Sequence, residues 1–147
     1  MGASRSVAEM ISIRSAERGD IPNVLALWSI ATGPSTTDDA ESLARLIEFA
    51  PDALLVATDH DQIVGTVVVG WDGWRGTMYR LAVVPDRRRE GIASMLVRDG
   101  EASVRSHGAT RLHLIVESNR PVAQSFWSSI GYVRTDQARF VKTFEAA

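Results

Sequence analysis

The run Val84-Pro85-Asp86-Arg87-Arg88-Arg89-Glu90-Gly91-Ile92-Ala93 puts cations and small residues together where a strand pattern gives way to a helix pattern. Guanidinium groups bind phosphate oxygens through a planar fork of donors. A helix start adds unpaired backbone N–H groups and partial positive charge. Gly91 and the small Ala93 would let a ligand's phosphates approach those amides closely. The chemistry is anion binding, and a diphosphate suits it best. Arginines alone would make only a solvated basic turn; Gly91 and Ala93 favour the site. Other phosphate motifs do not compete, since the chain holds no G-x-x-x-x-G-K-[ST] and no G-x-G-x-x-G after a strand.

The elements that position this run can be read on either side of it. Met78-Tyr79-Arg80-Leu81-Ala82-Val83-Val84 is apolar and β-branched enough for a buried strand, and Pro85 ends it by removing a donor. Ile92, Leu96, Gly100 and Val104 then repeat every four residues, with Ala93 and Val97 on the adjoining row, which predicts a helix face. Upstream, 11–14 reads as an edge strand, Asp20-Ile21-Pro22 opens a helix, and 38–49 forms a second helix after a loop at 33–37. Strands at 54–58 and 63–69 form a hairpin across Asp59-His60-Asp61-Gln62, and a second turn at 71–76 leads into the strand that ends at Pro85. Downstream, His107-Gly108 ends the long helix, 112–116 is a short buried strand, 121–129 a helix, and 132–135 and 139–144 a last pair of strands.

Composition bounds the function. A chain of 147 residues suits one domain, expected at 10–147 after a flexible start at 1–9, and a net charge of −2 gives no reason to invoke nucleic acid. Met1, Gly2 and Ser6 match a short myristoylation pattern and are read as part of that start. With no Cys there is no disulfide framework, no thiolate zinc site and no cysteine nucleophile. His60, His107 and His113 lack metal-cluster spacing, so no metal is expected. No apolar run is long enough to span a bilayer, and the expectation is a cytoplasmic enzyme without a membrane partner.

The pattern Arg88-x-x-Gly91-x-Ala93, after Leu81-Ala82-Val83-Val84-Pro85 and before a helix, resembles the coenzyme A loop of the GCN5-related N-acetyltransferases (the GNAT superfamily). The element order, from about Ile11 to the C-terminus, is similar to that fold. The resemblance implies an α+β, three-layer α/β/α domain, with a mixed, mostly antiparallel sheet of six to seven strands and about four helices. It implies acetyl coenzyme A as acyl donor. The diphosphate would be held through Arg87, Arg88, Arg89, Glu90, Gly91, Ile92, Ala93 and Ser94. The fourth strand would splay from the fifth, leaving the backbone of Leu81, Ala82 and Val83 to pair with the pantetheine arm. A second matching block runs from Glu117 to Tyr132. There Asn119 sits where the family's Asn meets the coenzyme arm, and Asn is also a favoured helix N-cap.

The chain departs from the family where many members place a Tyr that protonates the departing thiolate. Trp127 stands there, and an indole N–H donates a hydrogen bond without acting as an acid near neutral pH. Tyr132 or Tyr79 would have to substitute, and spacing from Asn119 to Gly131 is one residue longer than in the commonest versions. For the base, Glu117 at the end of the fifth strand is the first candidate and His113 the second, beside the alternative that both are ordinary strand residues. The acceptor groove would be framed by Trp28, Asp38, Asp39, Glu41, Trp71, Asp72, Trp74, Asp136 and Gln137, which suit a cationic amine, although each has an ordinary surface or turn role. The expected activity is N-acetylation of a small-molecule amine or, second, of a protein amino group. The alternatives are an acyl-coenzyme A binding or sensing domain and a site for another nucleotide. Phe140, Val141 and Phe144 on a final strand could serve a homodimer edge.

Overall fold

The structure is a computed structural model describing residues 6–33 and 37–145. The expected pattern at Met1 and Gly2, and residues 34–36 of the expected loop, lie outside the described residues. The chain divides into two compact units, one ending at Ile115 and one beginning at Val116.

In the first unit, Ser6 accepts the Glu9 N–H and starts a single helical turn, α1 (Val7–Met10). Then follow β1 (Ile11–Ser15), α2 (Ile21–Thr32), α3 (Ala40–Phe49), β2 (Leu54–Asp59), β3 (Gln62–Trp71), β4 (Gly76–Val83), α4 (Ile92–Ser106) and β5 (Leu112–Leu114). Local chemistry places these boundaries. Pro22 sits in the first turn of α2, and the Asp39 side chain accepts the Ser42 N–H at 2.7 Å to cap α3. His60 and Asp61 take φ of 49° and 68°, the left-handed pair that a tight hairpin between β2 and β3 requires. Asp72 accepts the N–H groups of Trp74 and Arg75 and closes the turn into β4.

The sheet runs β1-β2-β3-β4-β5, antiparallel except for the parallel β4–β5 pair. Helices cover both of its faces. Val68 of β3 belongs to a buried cluster with Val24, Leu27 and Trp28 of α2 and Leu43 of α3. Its neighbour Val69 points the other way, where a Cβ on Gly100 of α4 would lie 2.9 Å from it. Gly65 lets α4 settle closely on that second face: a Cβ there would meet Leu96 at 3.0 Å and Ile92 at 3.2 Å. The three-layer expectation therefore holds within this unit.

One irregularity matters for everything that follows. On β3, one residue separates Thr66 from Val68, while two residues separate their β4 partners, Ala82 and Tyr79. The surplus forms a bulge at which Arg80 adopts φ 53°. The Thr66 hydroxyl donates to the Arg80 carbonyl at 3.0 Å, and the Thr66 hydroxyl oxygen accepts the Trp28 indole N–H at 2.7 Å. Outward from the bulge, the Arg80 guanidinium donates to Thr32 Oγ1 at 3.0 Å and to Asp38, and lies 5.4 Å from the Trp28 ring centre.

The second unit holds α5 (Pro121–Ser129), with the boundaries read from sequence. Its Gln124 side chain donates to the carbonyls of Glu117 and Ser118, and the Trp127 and Tyr132 rings meet edge to face at 4.8 Å. Three expectations are corrected. The described sheet has five strands rather than six to seven, because 132–135 and 139–144 join no ladder, and β5 spans three residues rather than five. Alternating apolar residues mark what could pair, and a strand exists only where a partner strand accepts its backbone groups. Among the described residues the α-helices number five rather than about four, the addition being α1.

Two outcomes follow. Thr66→Val should leave the indole N–H and the Arg80 carbonyl without their buried partner, costing about 1–3 kcal/mol in urea unfolding, while Thr66→Ser should cost much less. The second concerns acid. Arg14 bonds both oxygens of Asp20 at 2.7 and 2.9 Å, and this holds the Asp20 carboxyl below the usual carboxylate range. With an unfolded value near ~3.9, the pair stabilises above about pH 4 and loses that contribution as pH falls through the lower folded value. Asp20→Asn should therefore lower stability near neutral pH, with the loss shrinking as pH falls from about 4 through the lower folded value, as read by urea melts across acid pH.

Candidate functional site

β4 is bonded to β3 along one edge and only briefly to β5 along the other. The parallel ladder covers Gly76, Thr77 and Met78 and then stops. Beyond the bulge, Ala82 and Val83 pair with Thr66 and Gly65, and the Val84 N–H donates to Val64 at 2.9 Å. On the β5 side no strand of the described residues accompanies Leu81, Ala82 and Val83. The edge of β4 that the resemblance assigns to the pantetheine arm thus has no neighbouring strand among the described residues. Tyr79 lies next to it on β4 and is exposed.

After Val84 the chain makes a 3₁₀ turn at Pro85–Arg87, an extended step at Arg88, and left-handed steps at Arg89 (φ 66°) and Gly91 (φ 87°). The α4 helix then begins with Gly91 in the cap position and no side chain capping it. Its first backbone bond runs from the Met95 N–H to the Gly91 carbonyl, at 3.1 Å. The N–H groups of Ile92, Ala93 and Ser94 precede that bond and so belong to the unpaired first turn of a helix. Among the described residues, nothing lies within 4 Å of the place a Gly91 Cβ would occupy. Ile92 itself is buried beneath the loop, so only its backbone can serve a ligand, while Arg88 and Arg89 are exposed. A 15-residue helix adds partial positive charge at this end. The arrangement is a set of unpaired backbone donors with cations beside it, chemistry that suits an anion such as a diphosphate.

The arginines are not equivalent. Arg87 donates through Nε to both oxygens of Glu90, at 3.1 and 2.9 Å, and through Nη1 to Asp59 of β2 at 2.9 Å. That guanidinium in turn holds the Asp59 carboxyl below the usual carboxylate range. The Arg87–Glu90 spacing was visible in the sequence; the Asp59 contact was not.

The remaining expected site residues fall in the second unit. Glu117 is exposed and lies 3.6 Å from the Arg120 Nε. Asn119 is exposed and is not the helix cap, since α5 starts at Pro121 with Arg120 in the cap position. Trp127 is buried. His113, the second base candidate, lies on β5 in the first unit, paired in register with Thr77 and exposed.

Several residues expected to frame an acceptor also make structural contacts. Trp28 bonds Thr66, Asp38 pairs with Arg80, Asp39 caps α3, Glu41 pairs with Arg45, and Asp72 closes its turn. Trp71 lies against His107, and exposed Trp74 carries Arg75 over its ring at 3.8 Å. Asp136 and Gln137 are exposed in the second unit. Among the described residues, no group of His, Asp and Glu is arranged to hold a metal ion, and no helix is long and apolar enough to cross a membrane.

Residues 15–132 match the family described as acetyltransferase (GNAT). An acetyltransferase of Pectobacterium atrosepticum is 32% identical over 127 residues, covering 86% of this chain and 90% of its own. One from Sodalis glossinidius is 30% identical over 127 residues, covering 86% and 89%. Among solved structures, Ard1 from Thermoplasma volcanium aligns with a TM-score of 0.77 at 22% identity, covering 86% of this chain and 85% of that one. An aminoglycoside N-acetyltransferase in complex with CoA aligns at 0.73 and 16% identity, covering 90% and 94%. At such identities the structural likeness speaks for the fold.

Arg89 holds a backbone conformation that costs an L-residue about 1–2 kcal/mol. Arg89→Gly should therefore leave the melting temperature unchanged or slightly higher, a result that thermal denaturation reads directly.

Proposed function

As the chain belongs to the GNAT acetyltransferase family and is an acyltransferase, we propose that it carries an acetyl group from acetyl coenzyme A to the amine of a small molecule, ahead of a protein amino group. The observation that carries the reading is the start of α4, where an uncapped helix end and an open Gly91 stand beside exposed Arg88 and Arg89. In this reading the diphosphate rests on the backbone from Arg88 to Ser94, and the pantetheine arm runs along the free edge of β4 at Leu81, Ala82 and Val83. Asn119 and Trp127 belong to the same coenzyme site by their match to the family's second motif, and residues 10–147 act as one acetyltransferase domain.

The reaction is direct attack. The amine lone pair adds to the thioester carbonyl carbon, a backbone N–H of β4 stabilises the oxyanion, and the C–S bond breaks to release the thiolate. Glu117, directly or through a water, takes the ammonium proton that must leave before nitrogen can attack. Tyr79, exposed on β4 next to that edge, gives a proton to the thiolate in place of the tyrosine that Trp127 replaces and regains one from the nitrogen, which sheds its second proton to become the amide. An amine acceptor is supported by the structural relative named as an aminoglycoside N-acetyltransferase. The enzyme acts in the cytoplasm, without nucleic acid or membrane, and the exposed Phe140, Val141 and Phe144 offer a homodimer edge. Trp127 favours a second reading, a catalytically weak acyl-coenzyme A binding or sensing domain, since an indole supplies no acid.

Calorimetric titration with acetyl coenzyme A tests the proposal. Wild type should bind at roughly micromolar Kd. Gly91→Glu, which puts a side chain and a negative charge into the open space over the loop, should lose about a hundredfold or more while still melting cooperatively. Absence of wild-type binding would sink the reading. Coenzyme A release across a panel of amines then separates an enzyme from a binding domain.

A further inference from the structure

Arg87 is the first of the three loop arginines, yet it is the least available. Its side chain is 24% exposed, against 16% for Asp59 and 27% for Glu90, so this cluster is screened less than a surface pair. Nε is committed to Glu90 and Nη1 to Asp59, with His60 Nδ1 2.7 Å from the other Asp59 oxygen. The anchor is firm, because Asp59 and Gln62 are the closing pair of the β2–β3 hairpin. The chain then changes direction: Arg87 ends the 3₁₀ turn, Arg88 is extended, and Arg89 is left-handed, so the next two side chains leave the cluster and are exposed.

We infer that Asp59 and Arg87 are positioning residues for the coenzyme loop, clamping its first half to the β2–β3 hairpin so that Arg88 and Arg89 face the diphosphate and Arg87 does not. The inference rests on the coenzyme reading of the loop. It assigns a role to Asp59, more than twenty residues upstream of the motif. Glu90 completes the clamp with its side chain, which leaves its backbone for the loop.

The sign of one substitution separates this role from direct phosphate contact. If Arg87 bound the diphosphate, removing the Asp59 charge would free a competing cation and tighten binding. If the pair positions the loop, the same change loosens it. Full-length protein is titrated with coenzyme A, and each variant's fold is checked by thermal melting. Asp59→Asn and Arg87→Gln should each raise Kd about tenfold, mid-range for residues of one ion-pair network, and the double variant should be no worse than either single one. Should Asp59→Asn fail to fold, Glu90→Gln, which removes the other carboxylate held by Arg87, gives the same sign test: looser binding if the cluster positions the loop, tighter if Arg87 contacts the diphosphate. Tighter or unchanged binding by folded Asp59→Asn, or additive losses in the double variant, overturns the inference. Wild type that does not bind coenzyme A overturns it together with the loop reading, so the two failures are distinct.

Discussion

The hydrogen-bond chain from the Trp28 indole to the Thr66 hydroxyl to the Arg80 carbonyl is what allows β4 to bulge inside the sheet. A carbonyl turned out of its ladder in a buried place costs about 1–3 kcal/mol if nothing bonds to it. Thr66 supplies the bond and is itself fully buried, with its hydroxyl oriented by the indole. Arg80 then reaches to Thr32 at the end of α2 and to Asp38 ahead of α3. Bulge, helix end and helix entrance are thus tied together. Past the bulge β4 stays bonded to β3 while its other edge leaves β5, and the loop is delivered to the start of α4 from a fixed origin. Gly65 fixes the other end of the loop by letting Ile92 and Leu96 sit close over β3.

Charge around the loop is balanced rather than strongly positive. Asp59, Asp86 and Glu90 accompany Arg87, Arg88 and Arg89, within a chain whose net charge is −2. Capacity for an anion therefore comes from how the charges are sorted. The carboxylates of Asp59 and Glu90 are spent on Arg87, turned inward, while Arg88 and Arg89 point to solvent beside the first N–H groups of α4. Fixed donors need no reorganisation when a ligand arrives, so a modest local charge is no bar to holding an anion.

Some of this was legible in the chain and some was not, and particular residues show why. Asp39 before a helical pattern, Pro22 at a helix start and Gly91 ahead of Ile92 each announce a boundary, and the structure places those boundaries within a residue or two. Asn119 is the counterexample: it too is a favoured cap residue, yet Arg120 takes the cap position. The strand patterns at 132–135 and 139–144 looked no weaker than the one that became β5, and they join no ladder.

By itself the sequence determined the order of elements, the strand-to-helix loop with its small residues and cations, and the family to which these belong. Helix periodicity, capping and turn conformations come from sterics and hydrogen bonds within a few residues, so they can be read locally. Tertiary structure alone decided which arginine is neutralised, where β4 bulges, where β4 and β5 part, and which patterned segments pair. Those outcomes depend on partners far apart along the chain, 28 residues for Asp59 and Arg87 and 38 for Trp28 and Thr66, and only the folded chain brings such partners together.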